Sequence, residues 1–237
     1  LFTRADPNGL WDSIAFYAGS AGELRFCTIE YSTYGVWSSS AFPTISNCTI
    51  QNNNTGVYAE HTTPNLAAPN TIESNTSAGI HFWRCTTPVI SNQTLTGHTG
   101  AFGAIRMEDT GEFTLESGNT ITNNNWPLSI DIGSFPNAGS VLPDSGNTNN
   151  GIQVMQSSST RQAVWPKLSL DYIVTGRFIV AAGGSLTISP GVTVRFLPKL
   201  GNYILVNGTL IARGEVDSPI LFTRADPNGL WDSIAFY

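Results

Sequence analysis

Apolar residues in this chain recur in short phrases, not in long runs. Cys27-Thr28-Ile29, Cys48-Thr49-Ile50, Asn70-Thr71-Ile72, Gln93-Thr94-Leu95 and Asn119-Thr120-Ile121 repeat one x-Thr-apolar unit, with the threonines 21, 22, 23 and 26 residues apart. A second apolar phrase follows each of the last four, as in Val57-Tyr58, Ile80-His81-Phe82, Ile105-Arg106-Met107 and Leu128-Ser129-Ile130. Between the two phrases lie Asn52-Asn53-Asn54, Ser74-Asn75-Thr76 or Asn123-Asn124-Asn125, and Asn tolerates the left-handed backbone of a sharp turn. No segment carries the i, i+3, i+4 spacing of a helix. Short strands and turns on this cycle predict an all-β parallel β-solenoid with about nine coils in 220 residues. Stacking coils about 4.8 Å apart would put Ile29, Ile50, Ile72, Leu95 and Ile121 in one inward ladder. A leucine-rich horseshoe demands a denser L-x-x-L-x-L phrase, and a β-sandwich would not hold Thr-Ile in register over five cycles.

A longer period overlies the short one. Leu1 to Tyr17 (LFTRADPNGLWDSIAFY) returns unchanged as Leu221 to Tyr237, a period of 220 residues. Self-similarity at a fixed period marks arrays and solenoids. The expectation is therefore one repeat plus an overlap, cut from a tandem array. Residues 1–150 then form the later coils of a repeat, residues 151–171 a junction between repeats, and residues 172–237 the opening coils of the next. Met155 to Asp171 lacks the Thr-Ile cadence and holds Trp165-Pro166; Trp165 is expected to cover the apolar interior of an end coil.

The phrases Leu186-Thr187-Ile188-Ser189-Pro190-Gly191-Val192-Thr193-Val194-Arg195-Phe196, Val206-Asn207-Gly208-Thr209-Leu210-Ile211-Ala212 and Pro219-Ile220-Leu221-Phe222-Thr223, followed by Trp231, carry a resemblance. They are similar to the opening coils of large secreted bacterial tandem-repeat surface proteins with right-handed parallel β-helix repeats. The resemblance is close over residues 165–237 and looser over 10–150. It implies a right-handed solenoid and an extracellular or cell-surface location. It implies no particular chemistry, since this fold hosts lyases, hydrolases, adhesins and passive stalks.

Composition narrows the partners. Charged residues are 12% of the chain and the net charge is -6, which leaves no basic patch for a phosphate backbone and argues against nucleic acid. No stretch approaches eighteen apolar residues, so no membrane insertion is expected. Cys27, Cys48 and Cys85 fit no metal-ligand spacing; they read either as buried thiols or, for Cys27 and Cys48, as neighbours within disulfide range. The acids are dispersed. The densest group, Glu108, Asp109, Glu112 and Glu116, reads as a solvated loop, and Asp131 and Asp144 stand alone. His61, His81 and His98 lie 11, 9 and 3 residues past the preceding Ile or Leu, offsets that argue against one catalytic cluster. Arg84 beside Phe82 and Trp83 has the composition of a sugar-stacking site, though isolated surface aromatics are ordinary. The Asn-x-Ser/Thr triplets at Asn47, Asn53, Asn75, Asn92 and Asn207 read first as corners. No catalytic residue, cofactor or metal ligand is assigned.

The function expected from these patterns is a structural repeat of an extracellular fibre or stalk, with identical repeats end to end and lateral bundling as a further possibility. The alternatives are an adhesin binding surface glycans and a carbohydrate-active β-helix enzyme. A fibre should present repetitive faces without a concave polar site. An adhesin should present an exposed aromatic and polar groove, and an enzyme should bring carboxylates together.

Overall fold

The computed structural model describes residues 1–143, 145–198 and 201–237. Asp144, singled out above, lies outside the described residues. Within them the chain is all strand and turn. A parallel ten-stranded sheet runs from Trp11–Phe16 through Ser32–Ser39, Thr55–Glu60, Ala78–Trp83, Ile105–Glu108, Leu128–Ile130, Ile152–Val154, Tyr172–Val174 and Thr193–Phe196 to Leu221–Arg224. The chain circles once between neighbouring strands, so these ten strands bound nine coils. Each coil leaves this broad sheet, crosses a flank of short strands, and returns through a third face.

Over the first half the third face is a five-stranded sheet of Thr28–Glu30, Thr49–Gln51, Asn70–Glu73, Gln93–Thr96 and Thr120–Thr122. Its register pairs Ile29 with Ile50, Ile50 with Ile72, Ile72 with Leu95 and Leu95 with Ile121. All five point inward and are 0–1% exposed. Because side chains alternate along a strand, the preceding threonines align outward, Thr28, Thr49, Thr71, Thr94 and Thr120 in turn. Burying each Ile or Leu stabilises the stack by about 1.5–3 kcal/mol.

A second internal ladder supports the first. Asn53, Asn75, His98, Asn124 and Asn147 are all buried at the corner that leads back to the broad sheet. Their side chains donate to the carbonyls of Ile29, Ile50, Ile72, Leu95 and Ile121 respectively, at 3.2, 3.1, 3.1, 3.0 and 2.9 Å. Each also accepts, at its Oδ1 or ring nitrogen, a main-chain N–H from the coil before it, as Asn75 does from Asn53 at 2.9 Å and His98 from Asn75 at 3.1 Å. The buried polar groups are thus paired in both directions. Room for this ladder comes from residues without a Cβ: at Gly79 a Cβ would stand 2.5 Å from His98 Nε2 and 2.7 Å from the Ala104 carbonyl. Asn53 and Asn75 are therefore structural, and their buried amides are not presented for glycosylation. Asn47 and Asn92 are exposed corners with φ of 52° and 58°.

Residues 151–171, expected to be a junction, are instead a coil of the same solenoid. Ile152–Val154 pairs on both sides within the broad sheet, Ser157–Ser159 joins the flank, and Gln162–Trp165 pairs with Ser185–Ile188. Trp165 covers no end. It is fully buried inside the column, stacked on Tyr172 with centroids 4.6 Å apart and edge-on to Phe178 at 5.6 Å. Pro166 offers its carbonyl to the Tyr172 hydroxyl at 3.1 Å. The alternation of Gln162-Ala163-Val164-Trp165, exposed then buried, builds an ordinary strand without a Thr-Ile phrase.

The two copies of the 17-residue segment do not occupy equivalent places. In the first, Phe2 bridges to Ile29 on the threonine face and Trp11–Phe16 lies in the broad sheet. In the second, Leu221–Arg224 lies in the broad sheet and Ile234–Phe236 on the flank. The segment is displaced by one face, because each copy pairs with the strand edge presented to it.

Candidate binding face

The outer surface of the broad sheet is where side chains of differing chemistry meet. Register sets Trp37 beside Tyr58, Tyr58 beside His81 and His81 beside Arg106, each on the next coil. At one end the strip is aromatic: Trp37 and Tyr58 centroids are 6.4 Å apart, Tyr34 and Tyr58 5.0 Å, and Tyr58 and the His81 ring 5.0 Å. At the other it is charged. Glu108 holds His81 Nε2 at 2.8 Å through one oxygen and Arg106 Nη2 at 2.8 Å through the other. The Tyr58 hydroxyl donates to Glu60 at 2.9 Å.

These contacts fix protonation. Burial would raise the Glu108 carboxyl, but hydrogen bonds from His81 and Arg106, with the Arg106 charge, outweigh it and hold the group down at about 2. Burial lowers His81, against the hydrogen bond to Glu108. A neutral His81 facing an ionised carboxylate must carry its proton on Nε2. Burial, then the Glu60 contact, pushes the Tyr58 hydroxyl up, so it stays a donor.

Beside the strip lies a cleft of about 490 Å³ lined by Trp83, Arg84, Asp109, Asp131, Ser158, Ser159, Thr160, Arg161 and Ala181. Asp109, at a left-handed corner with φ of 47°, forms its centre. Arg84 Nε donates to it at 3.0 Å, and Arg161 Nε donates at 2.6 Å with its Nη2 on the Asp109 carbonyl at 2.9 Å. The Asp109 N–H donates to Asp131 at 2.8 Å. Burial raises the Asp131 carboxyl, and the charges of Glu108 and Asp109 add to it. Trp83 meets the His61 ring edge-on at 5.2 Å and carries the Arg84 guanidinium 4.5 Å from its centroid.

The acids expected to form one solvated loop therefore divide. Glu108 and Asp109 belong to the strip and the cleft, whereas Glu112 and Glu116 are exposed elsewhere. Asp131, expected to stand alone, touches Asp109. The histidines separate as their offsets imply: His81 in the strip, His61 against Trp83, His98 in the internal ladder. The Ile ladder, Trp165 and Pro166 lie in the interior and reach none of this surface. Among the described residues no cluster of three or more His, Cys, Asp or Glu has metal-binding geometry. Cys27, Cys48 and Cys85 are free thiols, and the Cys27 N–H lies 3.4 Å from Cys48 Sγ. Among the described residues no helix is long and apolar enough to cross a membrane.

A family model described as the right-handed β-helix region matches residues 8–163. The chain belongs to the right-handed β-helix family. The match covers the coils with the looser Thr-Ile cadence and stops before the phrases of residues 165–237 that carry the closer resemblance. Comparisons with curated proteins and with solved structures give no match. β-Helix membership agrees with a structural or adhesin-like role; the strip lies on the long parallel sheet, and the cleft at the corner between that sheet and the flank strand Ser157–Ser159.

Proposed function

We propose that this β-helix is the rod of an adhesin-type protein, extracellular or on a cell surface, that binds glycans along its broad sheet. The observation that carries the reading is the ordered strip from Trp37 and Tyr58 to His81 and Arg106, opening beside the Asp109 cleft. Aromatic rings match the C–H faces of sugars, and anchored Arg, Asp and Glu groups match their hydroxyls. The side chains are already held by one another, so little rotamer freedom is lost on binding. A plain fibre would leave this face repetitive and featureless.

The reading includes no catalytic step. Glu108 is held ionised by two donors and is not poised as a general acid near neutral pH. Retention of the chain on a panel of immobilised polysaccharides tests the proposal: at least one should retain it, and Tyr58→Ala should weaken that retention by about tenfold. Retention by none overturns the binding reading; release of new reducing ends overturns its non-catalytic part.

A further inference from the structure

Cys27 and Cys48 stand on a third internal ladder. They fill the first position of their x-Thr-apolar phrases, where the next three coils carry Asn70, Gln93 and Asn119. Alternation turns this position inward, and Cys48, Asn70 and Gln93 are buried. In the amide rungs a side-chain oxygen accepts the main-chain N–H one coil earlier: Cys48 N–H donates to Asn70 Oδ1 at 2.9 Å and Gln93 N–H to Asn119 Oδ1 at 3.0 Å. Cys48 Sγ takes that place for Cys27, whose main-chain nitrogen lies 3.4 Å from it. The two cysteines are in register, since Phe26 N–H donates to the Ser46 carbonyl at 3.2 Å and Thr49 N–H to the Cys27 carbonyl at 2.8 Å. Paired strands lie about 4.8 Å apart, inside the span of about 4.4–6.8 Å between the Cα atoms of a disulfide. The thiols are loosely held. Cys27 Sγ and Cys48 Sγ donate to the Arg25 and Ser46 carbonyls, both at 3.4 Å, and S–H is a weak donor. Losing both protons costs this corner little, because the Ser46 carbonyl keeps the Phe26 N–H. Cys85 stands apart, past the broad-sheet strand Ala78–Trp83, with its Sγ on the Ala59 carbonyl at 3.3 Å.

We propose that Cys27 and Cys48 are a modification site: a low-molecular-weight disulfide of the glutathione type oxidises them to a cross-coil bond that staples two successive coils. The thiolate of one cysteine attacks the small disulfide and releases one thiol, and the thiolate of the other attacks the mixed disulfide and releases the second. Two protein thiols lose two electrons and two protons, and the small disulfide is reduced to two thiols. The fold decides when this happens. Cys48 is 2% exposed, and burial chiefly pushes its thiol up, so in the stacked column it neither reaches an exchange partner nor supplies a thiolate. Exchange therefore belongs to the chain before these coils stack. Once they have stacked, the column seals whichever state it holds, and the protein keeps a record of the redox conditions in which it folded. The inference is independent of glycan binding.

Refolding the chain from urea in reduced and oxidised glutathione, or in reductant alone, tests it, with circular dichroism selecting the folded fraction. After oxidative refolding, iodoacetamide in urea followed by mass spectrometry should find Cys27 linked to Cys48 and Cys85 alkylated. Reductant added to the folded, oxidised protein should leave the bond intact, and the same reductant in urea should break it. The oxidised form should melt about 5–10 °C above the reduced one. Cys27→Ser should remove that redox-dependent shift; Cys48→Ser gives the same reading if the first variant fails to fold. Three alkylated cysteines after oxidative refolding, a bond that involves Cys85, or a glutathione adduct that persists on Cys27 beside a free Cys48 would overturn the proposal. Ready reduction of the folded, oxidised protein would overturn the sealing of the bond by the column.

Discussion

Acidification should destabilise this β-helix through one residue of its internal ladder, His98. The ring is fully buried; Nδ1 accepts the Asn75 N–H at 3.1 Å and Nε2 donates to the Ile72 carbonyl at 3.1 Å. In the neutral form both nitrogens are satisfied. Burial lowers the imidazole from 6.5 to about 4, with the main-chain hydrogen bonds to Asn75 and Ile72 opposing it in part. Between those values the unfolded chain binds the proton and the folded chain does not, so stability rises with pH across the interval. The contribution is complete above pH 6.5 and is lost as the pH falls towards about 4, a swing of about 3 kcal/mol. Urea unfolding at pH 7 and at about pH 4.5 measures it. The informative variant is His98→Asn, since Asn occupies the equivalent place in the neighbouring coils and does not titrate. His81, also lowered, contributes with the same sign in both proteins and cancels in the comparison. The parent should lose about 2–3 kcal/mol more than His98→Asn over this range. Equal losses would refute the assignment of the pH-dependence to the ladder.

Other substitutions probe the column and its close approaches. Ile72→Ala, in the middle of the inward ladder, should cost about 2–5 kcal/mol in urea unfolding. Trp165→Ala should cost about 3–5 kcal/mol and leave one cooperative transition, because its ring lies inside the column and not at a boundary between units. Gly79→Ala drives a Cβ into His98 and the Ala104 carbonyl, and should lower the melting temperature more than Gly9→Ala, where the nearest atoms to the added Cβ are those of Asp6 at 3.9 Å. Burial pushes the Cys85 thiol up to about 12, so iodoacetamide should leave it unmodified in the native protein at pH 8 and label it in urea, as read by mass spectrometry.

The coil cadence was legible because the Thr-Ile phrases fall where alternation must send one side chain in and the next out. The internal ladder was legible too, in a signal that went unread: Asn53, Asn75, His98 and Asn124 each stand three residues after Ile50, Ile72, Leu95 and Ile121. Set against the other histidines, His98 has an odd offset; set against the asparagines, it takes the place of one. The binding face was harder to see. Stacking converts separations of one coil into contact, as for His81 and Glu108, and Arg161 reaches Asp109 across 52 residues. Acids dispersed along the chain can therefore meet on one surface. Trp165 misled because an absent Thr-Ile phrase resembles a break, whereas a strand needs only alternation. The 17-residue repeat misled in the other direction, since identical sequence places identical side chains but pairs with whichever edge it meets.

The binding face on the broad sheet is the centre of this account, and hydroxyl-radical footprinting with and without a retained oligosaccharide tests it most directly. The ligand should protect Trp37, Tyr58 and Trp83, leaving Tyr203 and Phe26, which lie on other faces, as reactive as before. Protection confined to the threonine face, or unchanged oxidation of Tyr58 and Trp83 under saturating ligand, would contradict it.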